Sequence, residues 1–353
     1  MRRFGRFAIG FLILAIGSGC AASFPQRSAP TAADQAGRTG HTDHEAEEAA
    51  YAELGGAITL RAVISPNDRY LYLISGEGSR GAVVAIDRAS NRTVGSIPVG
   101  RAPISMAISA DGRVGYVANY LSDSISVLDL TSTTVRATIA VGKNPMRVAY
   151  APNGREAYVT NHGSEDLSII DTRSGAVVAT LEVGKRPCGI AFSPDGRRAY
   201  VVLHGSTEMV VIDTAARTVA QRVVVGQAPM AVSISADGRY AYTANEESGD
   251  VAVVDTATLQ VVRRTAVGKG PIELLLAVDG KEAFVLNGGE GSLSVMDTAT
   301  GQVKRTIAVQ RTPRSIALTA DGRFAYVTHP DPKMVWVIDT ATREVVRKDA
   351  APL

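Results

Sequence analysis

The chain has almost no cysteine. Of its 353 residues only Cys20 and Cys188 carry thiols, so no intramolecular disulfide framework is expected and rigidity must come from a buried core. Aromatic residues make up only 5% of the chain, with one tryptophan, which fits poorly with a helix-rich core. Charge of one sign is also missing. Lys and Arg number 37 against 35 Asp and Glu, and three of the 37 are Arg2, Arg3 and Arg6, in a segment expected to be removed, which leaves 34 against 35. A nearly neutral body gives no electrostatic basis for sequence-independent nucleic-acid binding, and no nucleic-acid partner is expected. The apolar run from Phe7 to Ile16 is about half of the roughly 20 residues that a membrane-spanning helix needs. Missing too are a nucleophile elbow, a phosphate loop, an HExxH pair and a dinucleotide fingerprint in the strand and helix context each requires. The motifs therefore give no case for catalysis.

Hydrophobic residues at 45% and 34 glycines point to a substantial core of short strands joined by tight turns. The N-terminus opens on Met1-Arg2-Arg3-Phe4-Gly5-Arg6, continues through the apolar run, and reaches Gly17-Ser18-Gly19 before Cys20. This is the pattern of a secretory signal over residues 1–20 and predicts export to the periplasm or cell surface. Cys20 sits where a bacterial lipoprotein signal resembles its lipobox, although Gly17 stands where Leu is usual. The resemblance implies a diacylglyceryl thioether on Cys20. With no Asp directly after it, the anchor would be in the outer membrane. The alternative is that Cys20 is discarded with the signal, or that cleavage falls near Ala22. Residues 21–54, rich in Ala, Ser, Thr, Pro, Gln and Glu, read as a flexible tether; His41, His44 and Glu45 within it read as polar linker rather than a metal site.

From residue 55 to 353 the chain repeats. Asp87, Asp129, Asp171, Asp213, Asp255, Asp297 and Asp339 are each 42 apart, and so are Pro103, Pro145, Pro187, Pro229, Pro271 and Pro313. A period of about 40 to 45 residues with four strands per unit is the signature of a propeller blade. The second unit illustrates the pattern: strands over Ile104 to Ser109, Val114 to Ala118, Ser124 to Asp129 and Val135 to Val141, with Ala110-Asp111-Gly112-Arg113 as a hairpin turn. Asp-Gly or Asn-Gly turns recur at Asp111, Asn153, Asp195, Asp237, Asp279 and Asp321, where Gly takes positive φ and the carboxylate or amide bonds nearby amides. One sheet apolar on both faces cannot bury itself, so the expected fold is all-β, a seven-bladed β-propeller of four-stranded antiparallel blades. The ring could close blade to blade, or residues near Tyr51 to Leu54 could add a strand at the seam.

The sequences Tyr116-Val117-Ala118-Asn119, Tyr158-Val159-Thr160-Asn161 and Tyr242-Thr243-Ala244-Asn245, with Val-Gly-x-x-Pro junctions between units, resemble the YVTN-type β-propeller repeat family. That resemblance covers residues 55 to 353 and implies a bacterial or archaeal surface or periplasmic propeller. The architecture is shared with lactonases and with haem d1-binding propellers, and a shared fold does not carry a shared reaction.

Functional residues are expected where loops depart from the repeat on the face that holds the loops after strand two and the junctions after strand four. His162 and His204 occupy equivalent places in adjacent units, and His329 falls in a third at nearly the same height. Neutral imidazole is a versatile ligand, so these could hold a metal or haem; the alternative is ordinary hydrogen-bonded loop residues. Arg101, Lys143, Lys185, Arg186, Lys269 and Arg311 follow the Val-Gly junctions, with Arg147 and Arg314 just past a proline. They predict a partial basic collar that would focus an anionic ligand or an acidic surface on this face. Met146, Cys188 and Met230 share the slot after the proline with Ile104 and Ile272, which reads as packing between blades rather than a copper site. Tyr72 to Asp87 spans 15 residues where Tyr116 to Asp129 spans 13, so residues 76 to 81 are expected to form a longer loop in the first unit.

Two functional readings follow. The first is an envelope-anchored, non-enzymatic scaffold that binds an envelope protein or a small anionic ligand, touches membrane only through its lipid, and needs no cofactor. The second is a periplasmic redox or lactonase-like propeller with His162, His204 or His329 as ligand or base.

Overall fold

The structure, a computed structural model, describes residues 58–77, 80–310, 312–330 and 333–352. The signal at 1–20, Cys20 with its expected lipid, and the tether at 21–54 lie outside the described residues. The described residues form an all-β propeller of seven four-stranded sheets, 28 strands in all, with one short 3-10 turn at Tyr120–Ser122. The blades span residues 58–99, 103–140, 145–182, 187–224, 229–266, 271–308 and 315–350. Among the described residues no helix is long and apolar enough to cross a membrane.

Within each blade the strands pair in chain order, antiparallel. The first strand lies innermost, because the first strands of successive blades touch one another around the ring. The second and third strands are buried along almost their whole length, as in Val114–Asn119 and Ser124–Asp129, while the fourth, Thr134–Ala140, is largely exposed. Every blade supplies an aromatic at one slot of its second strand: Tyr72, Tyr116, Tyr158, Tyr200, Tyr242, Phe284 and Tyr326, all buried. These rings reach the neighbouring blade. Tyr116 packs on Tyr150 at 5.1 Å and Tyr158 meets Phe192 edge-on at 5.0 Å between centroids. Burying each such side chain is worth about 1.5–3 kcal/mol, and a chain with few aromatics spends seven of them on the faces where blades meet.

The turns form for local reasons. In blade two, Asp111 accepts from the Ser109 hydroxyl at 2.6 Å and from the Arg113 amide, while Gly112 at φ 73° lets the chain reverse. These bonds hold the Asp111 carboxyl below its usual range. Asp129 caps the next turn by accepting from the amides of Thr131 and Ser132. Both aspartate series are structural, as the spacing suggests. Asn119, the last residue of its Tyr-Val-x-Asn segment, is fully buried and donates to Ser124 and Ser126 of the third strand. Asn161, Asn245 and Asn287 do the same work in their blades.

Among the described residues the ring closes blade to blade; Tyr51 to Leu54, the other candidates for the seam, lie outside them. All four strands of blade seven come from its own segment, and its innermost strand, Ser315–Leu318, packs against Ile58–Ile64 of blade one. The Ala62 amide donates to Ser315 Oγ across the seam at 3.0 Å, and Arg88 lies over the Tyr326 ring. The expected long loop in blade one takes another form. The extra residues extend the ladder, pairing Gly76 with Gly81 and Glu77 with Arg80, so that the hairpin strands run eight residues each instead of six. Continued pairing satisfies backbone groups that a loop would leave to solvent.

The junction glycines are fixed by close approach. A Cβ on Gly100 would lie 2.6 Å from Asn119 Cγ, and Asn119 cannot move without losing its serine partners. Gly100→Ala is therefore expected to destabilise the protein by about 1–3 kcal/mol through overpacking. The check is the denaturant midpoint, read at unchanged m-value.

Candidate functional site

Strand alternation divides each innermost strand into two sets of side chains. The residue after the junction proline packs between blades; Met146, Cys188 and Met230 sit in one apolar cluster with Ile104 and Tyr120. The next residue faces the channel. In six blades the slot two past the proline holds Ser105, Arg147, Gly189, Ala231, Glu273 and Ser315, and the two-residue extension of blade one brings Arg61 into the same layer. Small residues at four of these positions leave the axis to three charged side chains.

Those three meet. Arg61 Nη1 lies 2.5 Å and Arg147 Nη2 2.7 Å from Glu273 Oε1, and Glu273 Oε2 accepts from the Ile316 amide at 2.9 Å. Blades one, three and six are not adjacent, so only the channel axis allows this contact. The side chains are 16%, 17% and 11% exposed. Burial works against the Glu273 carboxylate, but Arg61, Arg147 and the Ile316 amide more than offset it and hold its pKa below the ordinary value. Arg61 is pulled down to about 10, chiefly by desolvation and then by the positive field of Arg147, with Arg314 contributing. The layer carries two guanidinium groups against one carboxylate. Arg61 and Glu273 were not singled out from sequence; the signal was charge in a slot otherwise filled by small residues, visible only after the first unit is shifted by two.

The structure brings His162 and His204 together, with ring centroids 6.3 Å apart. Their neighbour is Cys188, and one donor atom from each of the three lies within 4.8 Å of the others. His162 is 7% and Cys188 0% exposed. Desolvation, helped by His204 and Arg186, holds His162 at a pKa of about 4, and burial pushes the Cys188 thiol up to about 12. His204 Nε2 lies 3.0 Å from Glu246 Oε2. Neither Cys188 nor Glu246 belonged to the expected histidine set.

His329 is not part of this group. It occupies the slot of Asn119 and Asn161, one residue before the His162 position, so its ring turns into the blade. There it is fully buried against Trp336 at 5.0 Å between centroids, and Trp336 stands where blade two has Ser126. An imidazole–indole contact replaces the Asn–Ser hydrogen bond, and burial holds the His329 pKa near 4.

The basic collar is spread over the face. Lys143 Nζ pairs with Asp123 at 2.8 Å and is 63% exposed. The Arg101 amide donates to Ser122 Oγ. The carbonyls of Lys185 and Arg186 accept from Gly205 and His204, and Arg186 stands in the left-handed region at φ 50°. Lys269 lines a cleft of about 470 Å³ with Gly288, Gly289, Glu290 and Thr312. Arg314 stands close enough for its charge to act on Arg61. Arg311 lies outside the described residues. Arg147, of this set, sits in the channel layer with a carboxylate partner.

A closed ring of seven four-stranded antiparallel blades around a channel defines a seven-bladed propeller. The family model described as the cytochrome D1 heme domain matches residues 41–155 and 156–272, more than half of the chain, and the chain belongs to that family. The YVTN-type resemblance pointed to another propeller family with the same architecture. No curated protein matches the sequence. Among solved structures, the chain is similar to one titled "Kuenenia stuttgartiensis Hydrazine Synthase", with a TM-score of 0.73 and 22% identity over 80% of this chain and 95% of that chain. At that identity the likeness is one of fold.

Removing the carboxylate would leave two buried guanidinium groups facing each other. Glu273→Gln is expected to cost about 3–5 kcal/mol of stability. Because the folded-state pKa of Glu273 is depressed, its contribution is present above the ordinary value of 4.5 and is lost as pH falls through the lower folded-state value. Unfolding free energy followed from pH 7 into acid should drop there in the wild type and lack that component in the variant.

Proposed function

We propose that this protein is an exported, non-enzymatic binding propeller that takes a small carboxylate-bearing ligand at the loop-face mouth of its channel. The observation that carries this is the two-to-one excess of guanidinium over carboxylate in the Arg61–Glu273–Arg147 layer. A planar guanidinium matches a carboxylate in bidentate geometry, and a second carboxylate entering from the mouth would relieve the uncompensated charge. Low-dielectric channel walls strengthen that attraction relative to the open surface. The layer lies two residues in from the junction prolines, so it is near the face that carries Lys143, Lys185, Arg186 and Lys269. Catalysis through Cys188 is disfavoured, because a thiol with its pKa near 12 supplies little thiolate at neutral pH. Export rests on the signal pattern at residues 1–20, with Cys20 as the lipid attachment point.

Haem is the cofactor that the family name suggests. A tetrapyrrole iron accepts protein ligands only above and below a wide planar ring, so it needs an imidazole that opens on a slot of that width. His162 is closed in by Tyr120 at 6.2 Å, His204 at 6.3 Å and the fully buried Cys188, and His329 is shut under Trp336. His162 and His329 therefore do not open on such a slot in this conformation, and the family relation does not by itself supply a haem ligand.

Calorimetric titration with succinate and citrate tests the proposal. Binding should weaken with added salt, as expected for an electrostatic contact that is partly open to solvent. In Arg147→Ala it should fall at least tenfold, the variant staying folded because Arg61 still pairs with Glu273. Unchanged affinity in Arg147→Ala would remove the channel from the mechanism. Haemin in the same series, followed by a Soret shift that His162→Ala abolishes, would replace the carboxylate reading with a haem one.

A further inference from the structure

We propose that His162, Cys188 and His204 form a copper site, loaded as Cu(I), between blades three and four. The three residues come from separate elements. His162 and His204 follow the second strands of adjacent blades, Glu156–Asn161 and Arg198–Leu203, and Cys188 lies on the innermost strand of the second of these blades, Pro187–Phe192. Their donor atoms lie within 4.8 Å of one another, close enough for a single ion to reach all three after small side-chain adjustments.

The site has the marks of a built ligand set. His162 Nε2 and His204 Nδ1 are buried and have no hydrogen-bond partner among the described residues. A buried polar atom without a partner costs about 1–3 kcal/mol, and two such atoms beside a buried thiol share one explanation if they share one partner. The other nitrogen of His204, Nε2, lies at 3.0 Å from Glu246 Oε2. A proton there is donated to the carboxylate, which leaves the lone pair on Nδ1, the buried nitrogen without a partner. A carboxylate that orients a ligating imidazole in this way is the usual outer partner of a metal-bound histidine.

The donor set selects the ion. A thiolate and two imidazoles make a soft trigonal set of the kind that suits copper. With Cu(I), the thiolate cancels the metal charge and the buried cage stays neutral. A divalent ion would leave a net positive charge on the three ligands, in a cage where the fields of Arg147, Arg61 and Arg186 are opposed by the Glu246 carboxylate. Loading forms a Cu–S bond and releases the Cys188 proton to solvent, with no change in oxidation state. Met146 and Met230 belong to the same apolar cluster as Cys188 and keep the cage dry. The copper set is thus two histidines with the cysteine, not the Met-Cys-Met run that the repeat slot suggests.

The test is an anaerobic competition of the full chain against a chromophoric Cu(I) chelator. One equivalent of copper should be retained, with an ultraviolet thiolate-to-copper absorption, and X-ray absorption of the loaded protein should report two nitrogens and one sulfur. Cys188→Ser and His162→Ala should lose the ion, Cys20→Ser and His329→Ala should keep it, and Glu246→Gln should weaken it by about 10–100-fold. Retention undiminished in Cys188→Ser, a copper shell without sulfur in the wild type, or retention of Zn(II) with all Cu(I) passed to the chelator would each overturn the proposal. The X-ray absorption measurement needs no variant, so the outcome does not depend on whether a substituted chain folds.

Discussion

Each blade is apolar on both broad faces, and this governs the rest of the molecule. A sheet of that kind has no solvent side except its outermost strand, so it is stable only when a neighbour covers each face. The ring then has to close. The seven buried aromatics of the second strand carry much of that contact, as Tyr116 on Tyr150 and Tyr158 on Phe192 illustrate. Positions between blades are therefore committed to packing. Freedom to vary remains at the channel slot, at the residue after the second strand, and at the junctions.

Chemistry appears at those positions. The channel slot tolerates Arg61, Arg147 and Glu273 because four other blades present Ser105, Gly189, Ala231 and Ser315 to the axis and leave room. A buried ion triad of this kind is weak evidence for stability, since apolar groups of similar volume could fill the same space at no loss. Its unequal charge is a stronger sign. A structural plug would be served by one-to-one pairing, whereas two guanidinium groups on one carboxylate keep an attraction for a further anion. The Asn slot behaves in the opposite way. Asn119, Asn161, Asn245 and Asn287 point inward to serine or aspartate partners, and His329 in that slot keeps the inward direction even as its chemistry changes.

The fold was legible because the repeat is nearly free of insertions. The 42-residue register locates the hairpin turns and the strands within about one residue; blade two, for example, has Pro103–Ile108 where Ile104 to Ser109 was expected. The channel layer was legible in principle, since Arg147 and Glu273 are three registers apart, but the first blade breaks the metric and hides Arg61. The histidine pair followed from equivalent slots in adjacent units. What the register cannot convey is direction. Sequence places His329 within one residue of the others, and one residue along a strand turns a side chain to the opposite side. It likewise places Cys188 among methionines of its own slot, although the two histidines beside it come from the turn after the second strand of its own blade and from the same turn of the preceding blade.

The channel layer and the histidine–cysteine cage are mechanically joined. Thr160, on the second strand of blade three, accepts from the Arg147 amide at 3.0 Å and donates to the Cys188 carbonyl at 2.9 Å. One hydroxyl thus ties the strand that carries the channel guanidinium to the strand that carries the thiol. The tie crosses from one blade to the next. The same two groups are coupled through charge, because the fields of Arg147 and Arg61 act on Cys188 in a medium that screens them little. Those fields favour the thiolate while burial opposes it, and burial prevails in the metal-free protein. An anion drawn into the channel would offset part of the positive field, and a cation bound at the thiolate would replace the proton that burial retains. The two sites therefore share one electrostatic environment, held at fixed separation by a fully buried threonine rather than by a mobile loop.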